Sequence, residues 1–449
     1  MVPTPIGKQA VVVGAGMGGL TAAGALADHF EQVIVLERDT LPHDAAHRAG
    51  TPQGKHVHAL LGGGQRALGD LFPGFEQTLA QAGAVPLRVG LDTRVERPGF
   101  GPFPKHDHGW ITYSMSRALI ELVVRQHVER RANITVRQRC RAHEILATPD
   151  GVAVTAVRCE DVDGLSETLP ADLIVDASGR GALTLASLES IGRPLPEETT
   201  IGVDVGYATG VFAIPDDSPT DWKGVFTFGQ APDSRGALML PLEGDRWILT
   251  VGGRHGDRPP GDSDGFLSYA RELRTPTVYD AIKHAKRLGE IARFGFPASV
   301  RRHFERLEAF PRGLLPFGDA ICRFNPIYGQ GMSVAAQEAC LLHRLLETRA
   351  EEDDPLAGLA TTFFAEAQAL IDGPWAMAAV PDFIHPETRG QRPADFEITL
   401  KFGLALTRLA SRDPAIHKLT LEVQHLLKPR SVYRDPALVQ RVLAVMAEA

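Results

Sequence analysis

A strand, a glycine-rich turn and a helix follow one another at the start of this chain, and their order constrains its fold more than any other feature. Residues 10–13 are an apolar, mostly β-branched run, residues 14–19 fit G-x-G-x-x-G, and residues 20–30 have helical apolar spacing. A second apolar run, residues 33–36, ends at Glu37. In such a βαβ unit the glycines let the backbone approach a pyrophosphate, and the acidic residue accepts hydrogen bonds from a ribose. We therefore predict a Rossmann-like nucleotide-binding domain, which at this point fits NAD and FAD equally well.

The composition is that of a globular chain and argues against several functional classes. Of the 449 residues, 44% are hydrophobic and 23% are charged, and 47 basic against 55 acidic residues give a net charge of −8. This acidic balance argues against a nucleic-acid partner, and no apolar stretch reaches the length of about 18 residues expected of a transmembrane segment. Four cysteines without C-x-x-C spacing, and no signal-peptide pattern, favour a cytoplasmic localisation, reduced thiols and no metal site.

The hydrophobic period changes along the chain, which predicts an α/β protein with a discontinuous first domain. Apolar residues alternate between residues 201 and 254, and a turn at residues 243–245 joins two such runs into a hairpin. A strand, glycines and a helix return at residues 314–336. The predicted parts are a Rossmann-like domain of residues 1–75, 110–185 and 296–370, an inserted, mainly antiparallel β substrate domain of residues 76–109 and 186–295, and a helical C-terminal segment of residues 371–449. We expect breaks in that segment at its prolines, among them Pro374 and Pro381.

The second glycine motif indicates a flavin. A strand ends at Gly318, Asp319 follows at once, and a loop leads to Gly329, Gly331 and a helix. A carboxylate at that place suits a ribose or polyol hydroxyl. The N–H groups at the start of the next helix would stabilise negative charge on a reduced flavin ring.

Taken together, these motifs resemble those of FAD-dependent monooxygenases of the p-hydroxybenzoate hydroxylase type. Gly318 and Asp319, with Pro326 and residues 329–332, are similar to that family's second FAD motif, and residues 172–180 are similar to its middle motif. The resemblance implies that the discontinuous Rossmann-like domain binds FAD.

The resemblance also implies roles for single residues. Glu37 would bind the adenosine ribose, Asp319 the ribitol or pyrophosphate region and Arg117 the diphosphate side. Arg48 stands where the hydroxylases place a flavin-contacting arginine, and a solvated loop arginine is its alternative. The predicted FAD-binding residues are Gly14, Gly16, Gly18, Gly19, Glu37, Arg38, Arg48, Arg117, Asp319, Gly329, Gly331 and Met332.

Within that superfamily, the motifs are most similar to those of flavin epoxidases of polyether biosynthesis. Arg48 followed by residues 51–58, residues 176–181 and residues 324–329 carry this finer resemblance. The departure is Ser178, because the hydroxylases have Asp-Gly where this chain has a serine before the glycine. Since that aspartate is associated with handling the nicotinamide, we leave open whether NADPH or NADH reduces the flavin directly or a partner flavin reductase does.

The resemblance implies a monooxygenase that uses O2, through a flavin C4a-hydroperoxide, for olefin epoxidation or aromatic hydroxylation of an apolar or electron-rich small molecule. Because the flavin carries the chemistry, no catalytic side chain is expected, and the lack of an evident base favours neutral apolar substrates. A saturase of the geranylgeranyl reductase type and a non-catalytic flavin-binding protein are the alternatives. The hairpin lacks the Trp-x-Trp-x-Ile-Pro signature of flavin halogenases, which disfavours halogenation.

Candidates for a substrate pocket lie on the antiparallel strands and in the second glycine motif, although the strand residues fit a sheet core equally well. His56 and His58 alternate along the chain, but an ordinary surface or core role suits them better than a metal site. The predicted pocket residues are Phe212, Phe226, Phe228, Leu238, Leu240, Trp247, Pro326 and Tyr328.

Overall fold

The computed structural model describes residues 5–229, 231 and 233–448, so residues 1–4, 230, 232 and 449 of the predicted domain ranges lie outside it. The strands are β1 (Gly7–Val13), β2 (Phe30–Leu36), β3 (Val85–Arg88), β4 (Thr93–Glu96), β5 (Ile111–Ser114), β6 (Ile134–Arg137), β7 (Cys140–Ala147), β8 (Val154–Asp161), β9 (Ser166–Pro170), β10 (Leu173–Asp176), β11 (Glu198–Ala213), β12 (Gly224–Thr227), β13 (Gly236–Leu242), β14 (Arg246–Arg254), β15 (Ala292–Arg302), β16 (Leu314–Pro316) and β17 (Cys322–Arg323).

Helices connect these strands and follow the last of them. The α-helices are α1 (Met17–Leu26), α2 (Gly62–Leu71), α3 (Phe75–Gln81), α4 (Arg117–Glu129), α5 (Ala182–Ser190), α6 (Ser263–Arg271), α7 (Thr277–Ile282), α8 (Gly331–Thr348), α9 (Leu359–Asp382), α10 (Phe396–Ala410), α11 (Pro414–Gln424) and α12 (Pro436–Ala447). Short 3-10 helices lie at Pro52–Lys55, Phe304–Arg306, Gly318–Ala320, Pro326–Tyr328 and Arg430–Arg434.

Five strands from distant parts of the chain form a parallel sheet in the order β16-β10-β1-β2-β6. The apolar runs of β1, β10 and β16 are buried, as strands of a parallel sheet covered by helices are. The neighbours of β1 lie on opposite sides of it, and ligands of open α/β sheets bind at the carboxyl ends of strands beside such a reversal. The sheet joins residues 7 to 316, so this part of the fold is discontinuous, as predicted.

A seven-stranded sheet in the order β17-β15-β11-β14-β13-β12-β4 is antiparallel except for the pair β12 and β4. The predicted hairpin is confirmed, because β13 and β14 pair up to Leu242 and Arg246 around the turn at residues 243–245. Helices α6 and α7 pack on one face of this sheet. The opposite face meets the parallel-sheet part of the protein, where Val57 N donates a hydrogen bond to Thr250 Oγ1 (3.1 Å).

The C-terminal segment is helical, as predicted, but its first helix differs from the expectation. Pro374 and Pro381 lie inside α9 and do not end it. A proline inside a helix costs about 3 kcal/mol, so packing must offset that loss. Pro374 is buried, and its carbonyl accepts a hydrogen bond from Gln330 Nε2 (3.1 Å), which ties α9 to the start of α8. Among the described helices none has both the length and the apolar character needed to cross a membrane.

Candidate functional site

The first glycine turn lies at the carboxyl end of β1, beside the end of β10. Gly14 has φ +101°, and a Cβ built there would lie 2.8 Å from the carbonyl oxygen of Ala177. A Cβ at Gly19 would lie 1.7 Å from the Gly14 carbonyl oxygen, so the turn and α1 pack as closely as glycine allows. A Cβ at Gly16 would meet nothing within 4 Å. The backbone next to the N-terminus of α1 is therefore open to a phosphate, which a helix N-terminus stabilises.

The second glycine motif lies against the first. A Cβ at Gly318 would be 3.9 Å from Gly18 Cα, and a Cβ at Gly331 would be 3.6 Å from Asp319 Oδ1. Asp319 is exposed to solvent, yet the surrounding protein raises the pKa of its carboxyl to about 6, with Arg323 and Arg117 acting in the opposite direction. Asp319 is therefore accessible to solvent although protein surrounds it. The two motifs therefore form one continuous site between β1, β16 and α8.

Arg117 is the first residue of α4 and faces this site. Ser116 caps the helix by accepting a hydrogen bond from Leu119 N (3.1 Å). Arg117 Nη2 pairs with Glu121 Oε2 at 2.9 Å, while Arg117 Nη1 is buried and has no hydrogen-bond partner among the described residues. Burial lowers the pKa of Arg117, and Glu121 opposes that effect. A buried guanidinium with a free N–H can donate to a phosphate oxygen, which is the role that the resemblance implies for this arginine.

Arg48 and Glu37 hold the turn itself. Arg48 lies against the Ala15 carbonyl oxygen (Nη2, 3.2 Å) and pairs with Glu37 (3.2 Å) and Glu121 (2.7 Å). Glu37 follows the last residue of β2, Leu36, as predicted. Its Oε2 accepts a hydrogen bond from Ala15 N (2.9 Å). Arg48 is therefore a buried, neutralised arginine, unlike the solvated loop arginine that was its alternative. Arg38 is exposed and makes no ion pair with a described residue.

The middle motif is held by Asp176 at the end of β10. Its carboxylate accepts hydrogen bonds from the Ser178 hydroxyl (2.6 Å) and from the backbone N–H (3.0 Å) and hydroxyl (2.8 Å) of Thr184. Asp176 thus satisfies hydrogen-bond donors of the turn and of the first turn of α5. Its carboxylate has a structural role there. The Ser178 side chain is used in this cap.

A buried polar network fixes the loop between β17 and α8, and sequence reasoning missed its centre, Asp382. Asp382 Oδ1 pairs with Arg254 Nη1 (2.7 Å) and accepts hydrogen bonds from Asn325 Nδ2 (3.0 Å) and the Tyr328 hydroxyl (2.8 Å). Asp382 is fully buried. Burial raises the pKa of the Tyr328 phenol, and Asp382 adds to that effect. An acidic residue within the apolar stretch of α9 was the available signal, since buried charges require partners.

Glu338 on α8 was missed as well. It is fully buried, and its Oε2 accepts the Gly318 N–H (2.9 Å), while its Oε1 has no hydrogen-bond partner among the described residues. Burial raises the pKa of Glu338 to about 8, the Gly318 N–H lowers it and nearby Asp319 adds to the rise. Glu338 therefore holds the backbone of Gly318 in the second glycine motif. Its carboxyl group is mostly protonated at neutral pH.

We expect Glu338→Gln to change the pH dependence of stability. Because the pKa of Glu338 is raised in the folded protein, its protonated form stabilises the fold at low pH, and that stabilisation is lost as the pH rises through about 8. Glutamine retains an oxygen for the Gly318 N–H and cannot ionise. The variant should melt at a higher temperature than the wild type at about pH 9, with the difference shrinking towards about pH 5. Glu347→Gln, an exposed change on the same helix, is the control, and identical pH profiles of both variants would contradict the assignment.

The predicted pocket residues divide between the two faces of the seven-stranded sheet. Phe226 and Leu238 pair across β12 and β13 on the face that carries Thr250, and both keep accessible surface. Phe212 and Trp247 lie on the opposite face, in the core that α6 and α7 cover. These two residues thus lie in the sheet core, which was the alternative for them, because alternation predicts two faces but not which one a helix covers. The remaining predicted pocket residues are the partly buried Phe228, the buried Leu240, the exposed Pro326 and the partly buried Tyr328.

His56 connects the two parts of the protein. Its Nδ1 lies 2.7 Å from Thr209 Oγ1, and its ring meets the Tyr207 ring edge-on with centroids 4.7 Å apart. Burial lowers the pKa of His56 to about 4, and His58 contributes to the decrease, so the imidazole is neutral near pH 7. His58 Nδ1 lies 2.9 Å from the His56 carbonyl oxygen. Both histidines thus contact neighbouring protein groups, and the structural role favoured for them stays a prediction.

The fold and the site together define a dinucleotide-binding flavoprotein. Two adjacent glycine motifs, an open helix N-terminus and a buried guanidinium with a free N–H fit the two halves and the pyrophosphate of FAD. The family model described as "FAD binding domain" matches residues 8–361, and the chain belongs to that family. The predicted FAD-binding fold, with its antiparallel sheet and helical end, is thereby confirmed.

Three relatives are similar to this chain over most of its length. Protein Rv3254 of Mycobacterium tuberculosis is 32% identical, with 96% of this chain and 91% of the relative covered. Kynurenine 3-monooxygenase of Salinispora tropica is 27% identical (78% and 75% covered), and digeranylgeranylglycerophospholipid reductase 2 of Methanopyrus kandleri is 26% identical (77% and 78% covered). The solved structure of the flavin-dependent brominase Bmp2 has a TM-score of 0.69 at 14% identity, with 98% of this chain and 99% of that chain covered, which supports the fold alone.

Proposed function

We propose that this protein is an FAD-dependent monooxygenase that inserts one oxygen atom from O2 into a small organic molecule. The observation that carries the proposal is Asp319 of the second glycine motif, which is accessible although protein surrounds it and lies beside the N-terminus of α8. A site that only bound an adenine nucleotide would have no use for a second motif at the reactive end of a flavin. The similarity to a kynurenine 3-monooxygenase supports this reading.

The protein's own residues would position FAD and exclude water. Asp319 would accept a hydrogen bond from a ribitol or ribose hydroxyl, and Arg117 Nη1 would donate to a diphosphate oxygen. The first turn of α8, which has no side-chain cap at Gln330, would direct its N–H groups and positive dipole end at the ring. FAD supplies, when bound, the electron transfer to O2 and to the substrate. Phe226 and Leu238 would form an apolar wall that keeps the substrate close and dry.

The electron source and the finer reaction class belong to the same proposal. Because Ser178 is engaged in capping with Asp176, we propose that NADPH or NADH reduces the flavin slowly unless substrate or a partner flavin reductase is present. Epoxidation, in the manner of the polyether epoxidases, is the preferred reaction, with hydroxylation next. The division into domains at residues 75, 109, 185, 295 and 370 is part of this proposal too.

A flavin-dependent reductase is the second candidate, since the digeranylgeranylglycerophospholipid reductase match has nearly the same identity and coverage. The two functions differ in their need for oxygen. Purified protein, reduced by NADPH, is incubated with a panel of alkenes and phenols under ¹⁸O2, and with geranylgeranyl diphosphate under argon. Incorporation of ¹⁸O supports the monooxygenase. Addition of two hydrogens to the polyprenyl chain without oxygen would contradict the monooxygenase proposal and support the reductase. Release of FMN on denaturation would contradict both functions.

We expect Asp319→Ala to release most of the FAD while the protein stays folded. A hydrogen bond to a charged group contributes about 1.5–3 kcal/mol, which corresponds to about a 10- to 100-fold loss of affinity. Glu37→Ala should weaken binding less directly, because Glu37 also holds Ala15 N. The measurement is the ratio of FAD to protein after gel filtration at low concentration. Asp217→Ala, an exposed loop change, is the control, and full retention of FAD by Asp319→Ala would contradict the assigned position.

A further inference from the structure

Glu121 of α4 lies between two arginines and binds both of them. Its Oε1 accepts a hydrogen bond from Arg48 Nε (2.7 Å), and its Oε2 pairs with Arg117 Nη2 (2.9 Å). The three side chains are almost completely buried, with 9% of Glu121, 5% of Arg48 and 7% of Arg117 exposed. Each carboxylate oxygen thus serves a different guanidinium, so the direction of the carboxylate is fixed by two contacts at once.

Arg48 is the anchored partner of Glu121. Its Nη1 pairs with Asp39 (2.9 Å) and Glu37 (3.2 Å), and its Nη2 donates to the Ala15 carbonyl oxygen (3.2 Å) in the first glycine turn. These contacts come from the turn and from the residues after β2, so they hold Arg48 independently of α4. Arg48 therefore fixes the position of Glu121 relative to the glycine turn.

Arg117 has the opposite arrangement. Glu121 is its one acidic partner among the described residues, and its buried Nη1 has no hydrogen-bond partner there. Burial acts to lower the pKa of both arginines and Glu121 opposes it most in each, yet the pKa is raised for Arg48 and lowered for Arg117. Arg117 also lies in the first turn of α4, where the positive end of the helix dipole disfavours a cation. The protein thus leaves Arg117 short of negative charge, which an anionic ligand would supply.

We propose that Glu121 is a positioning residue for the cofactor: anchored by Arg48, it orients Arg117 so that the free Nη1 donates to a diphosphate oxygen of FAD. This inference rests on the proposed function, through the position assigned there to Arg117. The contacts form one chain from the glycine turn through Arg48 and Glu121 to Arg117. A guanidinium whose orientation is fixed in advance loses less conformational freedom when it binds its ligand.

The test compares ADP, which carries a diphosphate, with adenosine, which does not. Calorimetry measures the affinity of both for the flavin-free full-length protein as wild type, Glu121→Gln, Glu121→Asp and Glu129→Gln. Glutamine keeps the size and loses the charge, whereas aspartate keeps the charge and is too short for both contacts. Glu129, half-exposed at the other end of α4, is the control. Both Glu121 variants should lose about tenfold in ADP affinity and bind adenosine as the wild type does.

The opposite results would overturn the proposal. If Glu121 only compensated charge, its removal would favour an anion, and Glu121→Gln would bind ADP as tightly as the wild type or more tightly. If its role were purely structural, the affinities for ADP and adenosine would fall equally. A wild type that does not prefer ADP to adenosine would show that Arg117 does not contact the diphosphate. Should one of the two Glu121 variants not fold, the other decides by the same criteria.

Arg117→Met shows whether Glu121 acts through this arginine. The single variant should lose at least as much ADP affinity as Glu121→Gln, and adding Glu121→Gln to it should change that affinity less than about twofold. A further tenfold loss in the double variant would overturn the proposal, because Glu121 would then act by another route. The proposed function is tested separately, since absence of ¹⁸O from the products contradicts the monooxygenase and leaves the ADP preference unchanged.

Discussion

Gly19→Ala is expected to abolish FAD binding and to lower the free energy of unfolding by about 3 kcal/mol, the upper end of the usual cost of overpacking. The added methyl carbon would lie 1.7 Å from the Gly14 carbonyl oxygen, a backbone atom that moves only if the whole turn moves. Gly14 has little freedom, because its own φ of +101° and the approach of Ala177 fix it. We expect the far-ultraviolet spectrum to remain largely native and the protein to elute without flavin. The measurements are urea unfolding and the ratio of FAD to protein.

Two other glycines serve as controls for this change. At Gly16 an added methyl group meets no protein atom within 4 Å, so Gly16→Ala should keep its stability and lose about tenfold in FAD affinity, because the methyl group stands where a pyrophosphate approaches. Gly69, inside α2, also has free space, and Gly69→Ala should stabilise by about 0.5–1 kcal/mol without affecting FAD. Gly19→Ala with wild-type stability, or Gly16→Ala with wild-type affinity, would contradict the pyrophosphate position.

The nucleotide-binding half of the fold was predictable because its signals are local. The turn at residues 14–19 and the acid at Glu37 act within one βαβ unit, so their spacing along the chain fixes their spacing in the protein. The same holds for the hairpin of β13 and β14, whose turn lies between two alternating runs. Asp319 follows Gly318 along the chain, so its place in the second glycine motif is local as well. Its roles towards FAD remain predictions.

The substrate half was less predictable because its signals depend on which elements meet. Alternation put Phe212 and Trp247 on one face and Phe226 on the other, but only the positions of α6 and α7 decide which face is core. Glu96, beside Arg97 along the chain, accepts a hydrogen bond from the Thr227 hydroxyl (2.9 Å) and makes no ion pair with Arg97. Neither fact is contained in the local pattern.

The partners of the buried acids could not be predicted from the sequence either. Glu338 and Asp382 are each charged residues among apolar neighbours, which signals a partner but does not say which one. Glu338 meets a backbone N–H 20 residues earlier, and Asp382 meets an arginine 128 residues earlier. The resemblance implied that Arg48 contacts the flavin. In the structure Arg48 pairs with three carboxylates, which come from the residue after β2, the following loop and α4. Long-range ion pairs of this kind depend on the completed fold.

Asp382→Ala is expected to destabilise the protein by about 3–5 kcal/mol, the usual cost of leaving a buried charge without its partner. Arg254 would lose its carboxylate, and Asn325 and Tyr328 would lose their common acceptor. Because these two residues belong to the loop that leads into the Gly329 and Gly331 motif, FAD affinity should fall together with stability. Urea unfolding and FAD titration measure the two effects, and Asp353→Ala, an exposed change, should stay within about 0.5 kcal/mol of the wild type.

Two further variants distinguish a lost ion pair from a general defect of packing. Adding Arg254→Met to Asp382→Ala removes the uncompensated charge, so the double variant should be more stable than the sum of the single changes predicts, by at least about 1 kcal/mol. Tyr328→Phe removes one hydroxyl and leaves the ion pair, so it should cost about 1 kcal/mol. Additive effects of Arg254→Met and Asp382→Ala would mean that Asp382 acts through its volume alone. Since the network joins α9 to β14 and to the loop of Asn325 and Tyr328, coupling between the two charges would show that the ion pair stabilises the packing of α9 on β14.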